Sequence, residues 1–204
     1  MATPDIQGKV SVVFNMNKYV DTLIDMPIAK HEDDERLLTA AYISSLKSVH
    51  AKTRWPVSRV APELAYGISA LAQGDKDAKK LVHCKALNEI NGRLRSMRKD
   101  GKARIRLLGM PSLEQLHVIT VCDASFAKEV GMKSQGGFFN LITSGAIMSG
   151  PAFVSNVEFS SNTINRVVRS TMAAESASLS TALDRQLFLR LLIESMIYGE
   201  PKSP

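Results

Sequence analysis

A chain of 204 residues with 26 Lys and Arg against 20 Asp and Glu, 45 % of it apolar, has enough material for a sizeable core in one domain or two small ones. No run of about 18 apolar residues is present to span a membrane, and the start MATPDIQGKV lacks the apolar stretch of a secretory signal, so an intracellular protein that is not secreted is expected. Two cysteines, Cys84 and Cys122, are too few for a disulfide framework, and His83-Cys84 has no second pair at metal-ligand spacing; reduced structural thiols are expected.

Lys9 to Phe14 reads as a strand, and Tyr19 to Met26 follows no single period. From Glu35 to Ala51, Leu38, Ala41, Tyr42, Leu46 and Val49 recur at three- and four-residue steps, which predicts an amphipathic helix that Trp55-Pro56 interrupts. A second helix starts near Pro62, a residue favoured in a first turn, and carries Leu64, Ala65, Ile68 and Leu71 inward. Asp75 can cap a third, with Leu87, Ile90, Leu94 and Met97 on one stripe and an end near Gly101. After Met110-Pro111-Ser112 the pattern changes to β-type runs at 116–122, 136–143 and 146–154, with turns at 128–134 and 143–145. The helical period returns from Thr171 to Ile197, with Leu179, Leu183, Leu187 and Leu191 on one stripe. Three strands followed by a long helix predict a compact α/β unit over 111–204, preceded by a mainly helical region over 1–110.

The positive charge is concentrated. Between Lys76 and Arg106 eleven basic residues face three acidic ones, so the rest of the chain is slightly acidic. Such a segment, with Arg93, Arg95, Arg98 and Lys99 on its helix, is either an electrostatic footprint for nucleic acid or a solvated helix face.

Asp123 stands at the end of the apolar run His117 to Cys122, where a buried unpaired carboxylate would cost several kcal/mol. Alone it reads as a turn-initiating Asp, and Glu175 as an acid near a helix N-terminus worth about 0.3 to 1 kcal/mol. Together, the ordered set VCDASFA at 121–127, SQGGFFNLIT at 134–143 and SSNTINRVVRSTMAAESASLSTAL at 160–183 resembles the first part of the RNase H domain of copia-type LTR-retrotransposon Pol polyproteins. Upstream, LLTAAYISSLKSVHAKTRWPVSRVAPELAYGISALAQ at 37–73 is similar to the connecting helices that follow the polymerase palm. There the family pattern Arg-Pro-Asp is replaced by Arg54-Trp55-Pro56-Val57. The resemblance implies a three-stranded RNase H-like sheet with a long helix, after a reverse-transcriptase connection-like region. It further implies Asp123 and Glu175 as Mg²⁺ ligands for hydrolysis of RNA in RNA/DNA hybrids, with Arg166 and Arg169 at the phosphate backbone.

The ligand set expected from that resemblance is incomplete. The family uses further acids on and beyond a fourth strand, and this sequence stops at YGEPKSP. Asp184, nine residues after Glu175, falls on the opposite helix face, and Glu194 lies about 28 Å further along the axis. Glu158 is expected at or past the end of the third strand. Mg²⁺ is therefore expected to bind weakly and hydrolysis to be slight or absent. The alternatives are a nucleic-acid-binding or scaffold remnant that uses the basic segment for a hybrid or single strand, and a reading frame without selected activity. An unpaired edge at 117–122 would invite self-association. Tyr19-Val20-Asp21 is no polymerase motif, because Thr22 replaces the second Asp, and His31, His50, His83 and His117 lack ligand spacing.

Overall fold

The computed structural model describes residues 2–4, 10–29, 33–73, 79–107, 116–129 and 131–199. The chain is a mixed α/β protein with a helical N-terminal region and a three-stranded antiparallel sheet packed against a long C-terminal helix. It divides into two compact units, Asn15–Arg104 with Glu129–Met132, and Met1–Phe14 with Ile105–Lys128 and Lys133–Pro204. The boundary expected at 110/111, and the cap expected at Asp75, lie outside the described residues. Among the described residues no helix is long and apolar enough to cross a membrane.

The helical unit contains α1 (Asn17–Val20), α2 (Ala40–Val60), a 3-10 turn at Pro62–Leu64, α3 (Ala65–Leu71) and α4 (Leu81–Lys99). Its core gathers Leu46, Val57, Leu64, Leu87 and Leu94. The helix expected from Glu35 begins only at Ala40, where Thr39 Oγ1 accepts from the Tyr42 N–H at 3.4 Å. Residues 36–38 are held extended instead: Leu38 N–H donates to Lys79 O (2.8 Å) and Leu81 N–H to Arg36 O (2.9 Å). The expected break at Trp55-Pro56 does not occur, and α2 runs through Pro56. Proline forfeits one backbone bond there, while the buried Val57 and Val60 keep the following turn on the core. Gly101 ends α4 as its position suggests, at φ +67°, with Lys102 N–H returning to Met97 O at 2.7 Å.

The other unit carries two sheets. β1 (Ala2–Pro4), β2 (Val10–Asn15) and β3 (Arg104–Leu107) form a small one in that order, with β1 and β2 antiparallel. β4 (Leu116–Glu129), β5 (Lys133–Ser144) and β6 (Val154–Thr163) form the larger one, also in sequence order, beneath α5 (Thr171–Tyr198). β4 is longer than the predicted 116–122 and meets β5 at Gly131-Met132, whose φ angles of +73° and +54° make the tight reversal. The third strand is displaced from the expected 146–154. Gly145–Met148 is a 3-10 turn, and the polar stretch Val154–Thr163 pairs with β5 instead. Its burial of Ser155 and Phe159, the latter stacked on Phe139 at 6.1 Å, supplies the packing that its composition conceals.

The face of α5 that packs inward is Ala174, Ser178 and Ala182, not the leucine stripe. Leu179, Leu183 and Leu187 are about half exposed. The cause is Gly136 on β5: a Cβ there would lie 3.1 Å from Ser178 Oγ and 3.3 Å from Ser178 Cβ, so only small side chains fit between helix and strand. A chain of polar contacts fixes the rest of this packing. Thr120 Oγ1 on β4 donates to Asn140 Oδ1 (2.6 Å), Asn140 Nδ2 to Glu158 Oε2 on β6 (3.0 Å), and Arg185 Nε on α5 to Glu158 Oε1 (2.7 Å). Replacing Gly136 by Val should cost about 1 to 3 kcal/mol through overpacking, with Ala costing less. Urea unfolding followed by amide exchange in β5 tests this, and a neutral G136V would mean the helix sits further from the strand.

Candidate carboxylate site and basic surface

Helix α5 begins at Ser170, whose Oγ accepts from the Ala173 N–H at 3.1 Å, the capping contact that a Ser before an apolar helix provides. Glu175 lies in the second turn and is half-buried. Ser178, one turn later and roughly 4.5 Å along the axis, donates from Oγ to the main-chain carbonyl of Asp123 at 2.9 Å. The same oxygen lies 3.4 Å from Gly137 O. This contact ties the helical turn next to Glu175 to the residue at 123.

Asp123 itself is exposed, so no buried charge has to be compensated there. Neither the Asp123 nor the Glu175 carboxylate has a hydrogen-bond or ion-pair partner among the described residues. Among those residues no three His, Cys, Asp or Glu side chains gather into a group able to hold a metal. Mg²⁺ bound by one or two carboxylates completes its shell with water and substrate phosphate.

The remaining acids have other tasks. Glu158 lies inside β6, not at or past its end as expected, and is held by Arg185 and Asn140. Glu194 pairs with Arg190 one turn away at 2.8 Å, and Asp184 is exposed. Among the described residues β4 has β5 as its one neighbour in the sheet, which leaves an edge. Helix side chains take up two of the carbonyls on β4: Ser178 that of Asp123, and Gln186 Nε2 that of Val118 at 2.9 Å. Arg166 and Arg169, in the link between β6 and α5, are exposed and without partners among the described residues.

The basic helix is different in character from a bare cationic face. Arg95 grips Asp25 through both guanidinium nitrogens, Nη1 to Oδ2 at 2.9 Å and Nη2 to Oδ1 at 3.0 Å, and reaches Leu23 O at 3.1 Å. Arg98 pairs with Asp21 at 2.6 Å, Lys85 with Asp34 and Lys80 with Glu35. On the same helix Asn88 exchanges hydrogen bonds with the Met26 main chain (2.7 and 2.9 Å), and Asn91 Nδ2 donates to Asp25 Oδ1 (3.0 Å) while its Oδ1 accepts from Thr53 Oγ1 (2.7 Å). Asn88, Asn91, Arg95 and Arg98 therefore form a seam that secures residues 21–26. Arg93 and Lys99 are exposed and unpartnered among the described residues. The signal in the sequence was the acidic set Asp21, Asp25, Asp34 and Glu35, too remote in the chain to be paired by spacing.

The Arg95 guanidinium beside Asp25 holds its carboxyl below the usual range, against the opposing effect of burial, with Asn91 assisting. A depressed native pKa means stability that is present above the unfolded value, near 3.9, and lost as pH falls through the native one. Because the pair is part-exposed, the contribution should stay below about 1 kcal/mol. Acid unfolding of Asp25→Asn against the parent checks this: the gap in stability should close at low pH, and a gap constant with pH would remove the linkage.

No family model, no curated protein and no solved structure matches the chain.

Proposed function

We propose that this chain is an RNase H-like nucleic-acid-binding protein of the copia-type retrotransposon Pol lineage, with the helical unit as a reverse-transcriptase connection-like part. The observation that carries the proposal is the Ser178-to-Asp123 hydrogen bond, which sets the turn after Glu175 against the middle of β4. Two unpaired carboxylates with two unpartnered arginines, Arg166 and Arg169, in the link leading to the same helix suit a phosphodiester backbone better than a neutral substrate. The arginines hold phosphate oxygens by charge-assisted hydrogen bonds, which position a strand without reading its sequence.

Mg²⁺ arriving with the nucleic acid would be held by Asp123 and Glu175 and would supply charge neutralisation at the scissile phosphate. This chain's own share is to present the two acids and to orient the backbone. With two acids and, among the described residues, no third beside them, hydrolysis by this chain alone should be negligible. The basic helix plays a lesser part, since the ion pairs of Arg95 and Arg98 leave Arg93 and Lys99 as its available cations.

Charge reversal at Arg166 and Arg169 should weaken binding of a labelled RNA/DNA hybrid and lower the slope of log affinity against log salt by about 2, one for each phosphate that is no longer neutralised. An unchanged slope in an anisotropy titration would refute the phosphate role. With Mg²⁺ or Mn²⁺ the hybrid should remain uncut. Robust cleavage abolished by Asp123→Asn would overturn the non-hydrolytic reading, while keeping Asp123 in the site.

A further inference from the structure

The helical unit carries an open-mouthed cavity of about 390 Å³ between α2, the end of α3 and the start of α4. That size lies within the range of small-molecule sites. Its apolar wall is Ile43, Leu46 and Leu71. Apart from Ala72, the rest of its lining bears nitrogen: Lys47, His50, Lys79 and His83, with no acidic side chain among the described residues that line it. An apolar wall facing several cationic or protonatable groups is complementary to a molecule with a greasy body and one negative end. We propose that this cavity binds a small carboxylic acid with an apolar tail, its tail against Ile43, Leu46 and Leu71 and its carboxylate between His50 and His83.

The hydrogen bonds fix how each imidazole presents itself. His50 Nε2 lies 2.7 Å from Ile68 O; a carbonyl only accepts, so Nε2 carries the proton and Nδ1 is the nitrogen able to gain one. His83 Nδ1 lies 3.0 Å from the Lys80 N–H and 3.1 Å from the Lys80 carbonyl, so the Lys80 main chain engages Nδ1 in either tautomer and leaves Nε2 to the ligand. Neither free nitrogen has a partner among the described residues. Lys79 is a positioning residue: its buried ammonium donates to Leu71 O at 3.1 Å and to Gln73 O, closing the C-terminal end of α3 and holding positive charge beside both rings.

Both imidazoles are pushed towards the neutral form. For His50 the main cause is burial, assisted by the Arg54 and Lys79 charges and opposed by the Ile68 carbonyl. For His83 it is burial again, opposed by the Lys80 carbonyl, assisted by the Lys79 and Lys80 charges, with Glu35 also pulling the other way. A carboxylate entering between them reverses this field, so binding takes up protons and tightens as the pH is lowered towards the histidine range.

Octanoate is the probe, with octan-1-ol as its uncharged counterpart, in calorimetric titrations of the full chain at about pH 8 and about pH 6. Octanoate should bind at least about threefold more tightly at the lower pH, with proton uptake, and should shift the imidazole resonances of His50 and His83. Octan-1-ol should show no pH dependence. Ala72→Trp, an exposed position at the mouth, should abolish binding by filling the space, and Lys47→Glu should weaken octanoate about threefold or more while leaving octan-1-ol unchanged. Circular dichroism of both variants establishes that they fold. Absence of octanoate binding, equal affinity for acid and alcohol, immobile histidine resonances at saturation, or indifference to both substitutions would each overturn the proposal.

Discussion

The contact between Gly136 and Ser178 governs the sheet-bearing unit. With no side chain at 136, α5 comes close enough for a serine hydroxyl to reach a β4 carbonyl beyond the central strand. A larger residue at either place would lift the helix, and the Ser178 bond to the Asp123 carbonyl would be lost with it. Among its described residues the unit has few large buried side chains, chiefly Phe138, Ile142 and Phe159. Close approach of small residues and satisfied polar groups therefore carries much of the packing that bulky aliphatics carry elsewhere.

In the helical unit the equivalent constraint is electrostatic and directional. A segment without regular structure, 21–26, is fastened to α4 by two amides and two guanidinium groups at three- and four-residue spacing. Exposed ion pairs taken singly contribute little. Here the bidentate Arg95–Asp25 pair is joined to buried Asn91 and Thr53, so removing one member strands the others. The net charge of the chain is thus a poor guide to its usable charge.

Helices with broad apolar stripes were legible in the sequence, as were the Gly101 stop and the first two strands of the larger sheet, because periodicity and turn residues act locally. β6 was not, since Ser155, Asn156, Ser160, Ser161 and Asn162 look like loop and owe their strand to pairing with β5. Continuity of α2 through Pro56 was hidden for a related reason: tertiary packing outweighed one missing backbone bond. Of the proposed site, Asp123 and Glu175 rest on motif order, and the structure adds the Ser178 bond to the Asp123 carbonyl. Ser178 was missed, although Ala174, Ser178 and Ala182 at four-residue steps, with Gly136-Gly137 upstream, are the mark of a tight helix-on-sheet contact. The ion-pair partners of the basic helix could not be read, because nothing local relates Asp25 to Arg95.

The relay from Thr120 through Asn140 and Glu158 to Arg185 crosses all three strands of the larger sheet and ends on the helix. Moving any strand along its neighbour by one residue would turn its side chain to the other surface and leave the fully enclosed Asn140 amide without a mate. The relay therefore acts as an alignment key, penalising misregistered pairings in a sheet whose sparse greasy contacts would by themselves tolerate several.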